Sequence, residues 1–143
     1  MTDQTVELTD QRKHNMLYDE ASKILRTNIR FSGKDIKSIV ITSCYPNEGK
    51  SDVLFQLAIE IAKIEKRVLI VDADMRNSSY LARHQVRKKV FGLSEYLSGQ
   101  NNLYEVVYHT NYAGLDIIFS GHPAPNPAEL LEQPSFAAKS WRK

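Results

Sequence analysis

The sequence predicts an α/β fold in which a parallel β-sheet is flanked by helices. Three observations carry that prediction. Ile36–Thr42 is rich in β-branched residues and reads as a buried strand. Residues 51–66 place Val53, Leu54, Leu57, Ala58, Ile61 and Ile64 at helical spacing on one face. Arg67–Asp72, "RVLIVD", is a second apolar strand. Strand, helix and strand thus follow within about forty residues, an order that implies a right-handed parallel βαβ unit.

The elements around this unit follow in order. The chain has 143 residues, enough for one domain with a real core. Hydrophobic content of 42% and charged content of 25% describe a soluble globular class. A net charge of +2 does not demand a nucleic acid as partner. One Cys excludes an internal disulfide framework and fits a reducing compartment. No apolar run has the length of a transmembrane helix, so no direct membrane insertion is expected. The start, "MTDQTVELTDQRKHN", has no apolar core and reads as a loose N-terminal arm over 1–15, not a secretory signal. Residues 17–30 carry Leu17, Ala21, Ile24, Leu25, Asn28 and Ile29 at helical spacing, with Gly33 as a stop. Residues 75–90 are polar and basic. "GLSEYLSG", 92–99, reads as a short helix between two glycines, and 102–108 as another. Leu115–Ser120 is a third strand. Asn126, Pro127 and Glu129 then form a capping-box arrangement at a helix start, and 132–143 begins as helix and ends as a basic tail.

The chemistry concentrates in "IKSIVITSCYPNEGKS", 36–51. An apolar strand, a loop and then Gly49-Lys50-Ser51 at a helix start is the layout of a phosphate-binding loop. Its backbone amides and the helix N-terminus point at phosphate, the Lys reaches the β/γ-phosphates, and the Ser hydroxyl binds Mg²⁺. Cys44 stands where the strict pattern has its first Gly, so the match is partial. Asn47 tolerates positive φ and can keep the turn. Asp52 suits the helix dipole and reads as a solvated helix-start residue. The residues proposed to bind nucleotide are Asn47, Glu48, Gly49, Lys50, Ser51 and Asp52.

Asp72 and Asp74 fall at the C-terminal end of the second strand, where open parallel sheets bind ligands. One residue apart on a strand, they point the same way. One carboxylate can approach Mg²⁺ and the other can accept a hydroxyl proton. Taken alone, Asp is equally at home in a strand-ending turn. Glu20, Lys23 and Arg26 share a helix face and, read alone, are a solvated face. Arg83, His84, Arg87, Lys88 and Lys89 read as an exposed charged loop. The four histidines have no metal-ligand spacing.

Together these stretches resemble the N-terminal portion of a bacterial tyrosine kinase of the capsular and exopolysaccharide type. The resemblance runs from about Tyr18 to Leu131. It rests on "YDEASKILRTNIRFS", the Walker A region 36–51, "VLIVDADMR" as the Walker A′ motif, "FGLSEYLSGQNNL" and "LDIIFSGHPAPNPAELL". It implies a P-loop NTPase-like sheet, with 16–143 a partial kinase domain, and ATP and Mg²⁺ as cofactors. Lys50 and Ser51 would bind phosphates and Mg²⁺. Asp72 and Asp74 would serve Mg²⁺ and activation of the attacking tyrosine hydroxyl, so Lys50, Asp72 and Asp74 are the catalytic set. Glu20, Lys23 and Arg26 fall on the family's ExxRxxR subunit-contact motif, which implies ring-like self-association through 18–30. The implied partner is a membrane activator of the polysaccharide co-polymerase type. The implied place is the cytoplasm, at the inner face of the membrane through that partner.

The sequence departs from the family at Lys23 (for Arg), Asn47 (for Gly), Asp52 (for Thr), Asn77-Ser78 (for Arg-Pro) and Ala124 (for Pro). Lys23 lacks the planar fork of an arginine. The family's Walker B strand and tyrosine-rich tail have no counterpart here, so the resemblance implies a sheet incomplete at its C-terminal end. An unpaired apolar edge and an aggregation-prone chain are expected to follow. The functional expectation is an ATP-dependent protein-tyrosine autokinase regulating capsular or exopolysaccharide synthesis. The alternative is a truncated, non-catalytic remnant that binds nucleotide weakly or contacts partner subunits. A partition-type ATPase is disfavoured because Tyr45 occupies the position of that group's signature lysine.

Overall fold

A computed structural model of the chain describes residues 4–10, 12, 15–64, 66–78 and 80–137. These residues fall into two compact units. The first takes its residues from 1–11, 69–111 and 115–143, and the second from 12–68 and 112–114.

The first unit is built on a four-stranded sheet ordered β1-β3-β4-β2. The strands are β1 (Thr5–Val6), β2 (Val68–Val71), β3 (Tyr108–Thr110) and β4 (Leu115–Ile118). β1 runs parallel to β3, with Val6 opposite Thr110, and β3 runs antiparallel to β4, with Tyr108 opposite Ile117. Val68 N–H bonds the Gly114 carbonyl and Asp72 N–H bonds that of Ile118. The equal advance on both strands makes β2 and β4 parallel. The expected parallel sheet is therefore a mixed one.

Five short helices accompany this sheet: α3 (Tyr80–Arg83), α4 (Leu93–Leu97), α5 (Leu103–Val106), α6 (Pro127–Leu131) and α7 (Pro134–Ala137). Met75, Leu93, Leu97, Val106, Ile118 and Leu130 form the core between them. The expected helices at 92–99 and 102–108 are found, although the second stops at Val106 and gives way to β3. The helix after Asn126 is also found, but its capping box is not made. Asn126 makes no side-chain bond to the helix amides and donates instead to the Glu129 carboxylate at 3.4 Å. Its ψ of 54° is far from the extended value that aims a cap side chain at those amides.

The loose arm is corrected over residues 5–10. "TVELT" alternates polar and apolar residues, a strand period, and both apolar members are buried, Leu8 to 1% exposure. Leu8 N–H donates to Asn111 Oδ1 at 2.7 Å, and Asn111 Nδ2 donates back to the Leu8 carbonyl at 3.2 Å.

The second unit pairs α1 (Met16–Ser32) with α2 (Lys50–Ala62). Asn15 caps α1 by accepting from Tyr18 N–H at 2.7 Å. No residue of α1 is buried, so its apolar stripe (Leu17, Ile24, Leu25) lies largely open. In α2 the six residues Phe55–Glu60 are all buried. Six consecutive residues exceed one turn, so the middle of this helix is covered all round, not only on the expected face.

The strand expected at 36–42 is not formed, and with it the βαβ unit that was to join it to 67–72. Residues 36–40 are irregular and exposed, Val40 to 88%. The physical reason is that β-branched residues favour a strand only by packing against cross-strand neighbours. Among the described residues none pairs with this run.

Candidate phosphate loop and aspartate turn

The phosphate-loop candidate lies wholly in the second unit. Ser43 Oγ donates to the Tyr45 carbonyl at 3.0 Å, and Tyr45 N–H donates to Glu48 Oε2 at 3.3 Å. Two left-handed residues complete the turn, Asn47 at φ 63° and Gly49 at φ 83°. A Cβ on Gly49 would meet nothing within 4 Å, so the glycine serves the backbone angle and not the available space. The helix ladder of α2 begins with Val53 N–H to the Gly49 carbonyl at 3.0 Å. The amides of 50–52 precede that ladder, at the positive end of the helix dipole. Lys50 and Ser51 are half-buried. Asp52, expected to be solvated, is also half-buried, and its carbonyl accepts from Arg12 Nη1 at 3.1 Å.

The aspartates lie in the first unit. β2 ends at Val71, so Asp72 and Asp74 occupy the turn after the strand and do not share a strand face. Asp72 is buried to 6% exposure. Its Oδ1 accepts from Asp74 N–H at 3.1 Å, and its Oδ2 accepts from the Ser78 hydroxyl. Asp74 is half-buried and accepts from Asn77 N–H at 3.0 Å. These are Asx-type turns, in which a short carboxylate satisfies backbone amides two or three residues on.

The triplet Glu20, Lys23 and Arg26, expected to contact a neighbouring subunit, is split. Glu20 and Lys23 line a shallow recess on α1 with Asn15, Met16 and Asp19. Arg26 turns to α2 and donates from Nη1 to the carboxylate and the carbonyl of Glu60, each at 3.2 Å. Glu60, 1% exposed, also takes Lys63 at 2.9 Å and Gln56 Nε2 at 3.2 Å. Arg12 Nη2 reaches Gln56 Oε1 at 2.7 Å, and its guanidinium lies 5.0 Å from the Phe55 ring centre. Sequence reasoning missed Glu60. Its signal was a lone carboxylate inside the apolar run "LAIEIA".

Two further residues were missed. His84, assigned to an exposed basic loop, is buried, stacked on Tyr80 at 5.4 Å, with Nδ1 3.0 Å from the Thr9 carbonyl. Glu95 of α4 accepts from Gly92 N–H at 2.6 Å, His122 N–H at 2.9 Å and His122 Nδ1 at 2.5 Å. Burial pushes the Glu95 pKa up, but the donors from His122 and Gly92 prevail and hold the carboxyl below its ordinary range. This staple ties "GLSEYL" to "SGHP". A Cβ on Gly92 would run into the Phe119 carbonyl and the Gly121 backbone, so no larger residue fits there.

A nucleotide phosphate chain fits the donor set of 43–51: amides at a helix N-terminus, a lysine and a hydroxyl, on a backbone held by two left-handed residues. Among the described residues no three His, Cys, Asp or Glu side chains gather into a metal-holding group. Mg²⁺ takes oxygen ligands and commonly relies on only one or two protein carboxylates, so the carboxylate of Asp72 is of the right chemistry for that cation. Among the described residues no helix is long and apolar enough to cross a membrane.

No protein-family model matches the chain. Over 118 residues it is 38% identical to the tyrosine-protein kinase CpsD of Streptococcus agalactiae, covering 82% of this chain and 52% of that protein. It is also 38% identical over 117 residues to the tyrosine-protein kinase YwqD of Bacillus subtilis (strain 168), covering 80% of this chain and 49% of that protein. Among solved structures it is similar to the BceF tyrosine kinase domain, with a TM-score of 0.79 and 34% identity, over 94% of this chain and 54% of that one. The chain thus spans about half the length of the curated relatives it matches.

Proposed function

From the premise that this chain belongs to the bacterial tyrosine kinase family and carries part of its kinase domain, we propose that it acts in ATP-dependent phosphorylation of protein tyrosine, its own included, in the control of capsular or exopolysaccharide synthesis. The observation that carries the reading is the loop at 43–51, where Asn47 and Gly49 turn the backbone left-handed immediately before the helix at Lys50.

The residues take separate roles. Backbone amides of 47–52 and the Lys50 ammonium would bind and orient phosphate oxygens; for Mg²⁺, the Ser51 hydroxyl is the ligand the loop would offer and Asp72 the carboxylate the aspartate turn would offer. Asp74 accepts the proton of the attacking tyrosine hydroxyl. Mg²⁺, when bound, neutralises phosphate charge, and in phosphoryl transfer most of the catalysis is positioning and charge stabilisation. Glu20 and Lys23 are the residues of the triplet offered to a neighbouring subunit. The reading places a membrane activator of the polysaccharide co-polymerase type beside the chain, at the inner face of the membrane.

A second reading, a non-catalytic nucleotide-binding or subunit-binding remnant, is favoured by one observation: the run at 36–42 that leads into the loop is largely exposed and outside the sheet. Incubation with γ-labelled ATP and Mg²⁺ separates the two. Label on tyrosine in the wild type and its loss in Lys50→Ala support the kinase. ATP binding with no phosphotyrosine supports the remnant.

A further inference from the structure

We propose that Ser78 is a positioning residue for Asp72, fixing the carboxylate in the orientation that receives Mg²⁺; the inference rests on the role given to Asp72 above. Three hydrogen bonds carry it. The Ser78 hydroxyl donates to Asp72 Oδ2. Asp74 N–H donates to the other oxygen, Oδ1, at 3.1 Å. Tyr80 N–H approaches Ser78 Oγ at 3.5 Å. That last contact occupies the acceptor side of the hydroxyl and directs its proton toward Asp72. A carboxylate gripped at both oxygens cannot rotate about its terminal bond.

The grip is anchored. Tyr80 is buried to 3% exposure and stacks on His84, whose Nδ1 lies 3.0 Å from the Thr9 carbonyl. The Ser78 hydroxyl is thereby tied to the start of α3, although Ser78 itself is exposed. Asp72 is fixed from the strand side as well, through its own N–H to the Ile118 carbonyl at 3.0 Å. The arrangement is that of an outer partner orienting a metal ligand. Removal of such a partner typically costs about 10–100-fold in metal affinity or activity.

The test is a Mg²⁺ titration of binding of a fluorescent ATP analogue to the full chain, for the wild type, Ser78→Ala, Ser78→Thr and Asp72→Asn. Binding without Mg²⁺ is read in parallel and reports the phosphate loop alone. Ser78→Ala is expected to raise the Mg²⁺ midpoint about 10-fold, leave metal-free binding unchanged, and be rescued by Ser78→Thr. A role confined to folding would lower both kinds of binding together, and that result overturns the proposal. So does a midpoint in Ser78→Ala that is unchanged or shifted to lower Mg²⁺ while Asp72→Asn raises it, which leaves the role of Asp72 standing. An unchanged midpoint in Asp72→Asn overturns both.

Discussion

At the scale of single residues, backbone angle and charge burial decide the most. Asn47 and Gly49 adopt positive φ in the loop, and both were readable as residues suited to it. Gly49→Ala meets no steric obstacle but keeps the left-handed angle, a cost of about 1–2 kcal/mol. We expect a lowered melting temperature and weaker ATP-analogue binding from this one methyl group. Glu95 was not readable, because nothing in "GLSEYL" announces that its carboxylate will meet the backbone of His122, twenty-seven residues on. Its pKa lies below the ordinary value of 4.5, so the folded state favours the charged form. The stabilisation is therefore complete above that value and is lost as pH falls through the lower folded one. Urea midpoints measured from pH 7 to pH 3 should fall in acid. Glu95→Gln should be less stable at pH 7 by about 2 kcal/mol, the range for a buried charged hydrogen bond, and should lose less in acid.

At the scale of elements, helices were more legible than strands. Helical periodicity is local, and it located α1 and α2 to within a few residues, while two bracketing glycines located α4. Strands depend on partners remote in sequence. The β-branched run at 36–42 has strand composition and no pairing among the described residues, whereas "TVELT" has weak composition and pairs with β3. The pairing of α1 with α2 depends on Glu60, whose partners on two helices no single window of sequence displays. Glu60→Ala strands Arg26 at 20% exposure and should cost about 3 kcal/mol. Arg26→Met removes one of three partners and should cost less. Lys63, more than half exposed, should matter least. Thermal melts of the three variants give the order directly.

At the scale of the whole molecule, the likeness to bacterial tyrosine kinases was legible in the order of the motifs. The division into two compact units was not, because the boundary passes through β2, which reads as one uninterrupted strand. Met16, Leu17, Phe31 and Val40 are each more than four-fifths exposed. Apolar surface of that extent favours association. Scattering at rising concentration should show self-association, reduced by Leu17→Lys with Val40→Thr. A sharp, reversible two-state melt of monodisperse protein would contradict this expectation.

The central claim is that the loop at 43–51 binds the phosphates of ATP. Calorimetric titration of the full chain with ATP in the presence of Mg²⁺, wild type against Lys50→Ala, tests it most directly. The account predicts binding in the wild type and a loss of at least about tenfold, the equivalent of one charge-assisted contact, in the variant. Equal binding by the two proteins would contradict it.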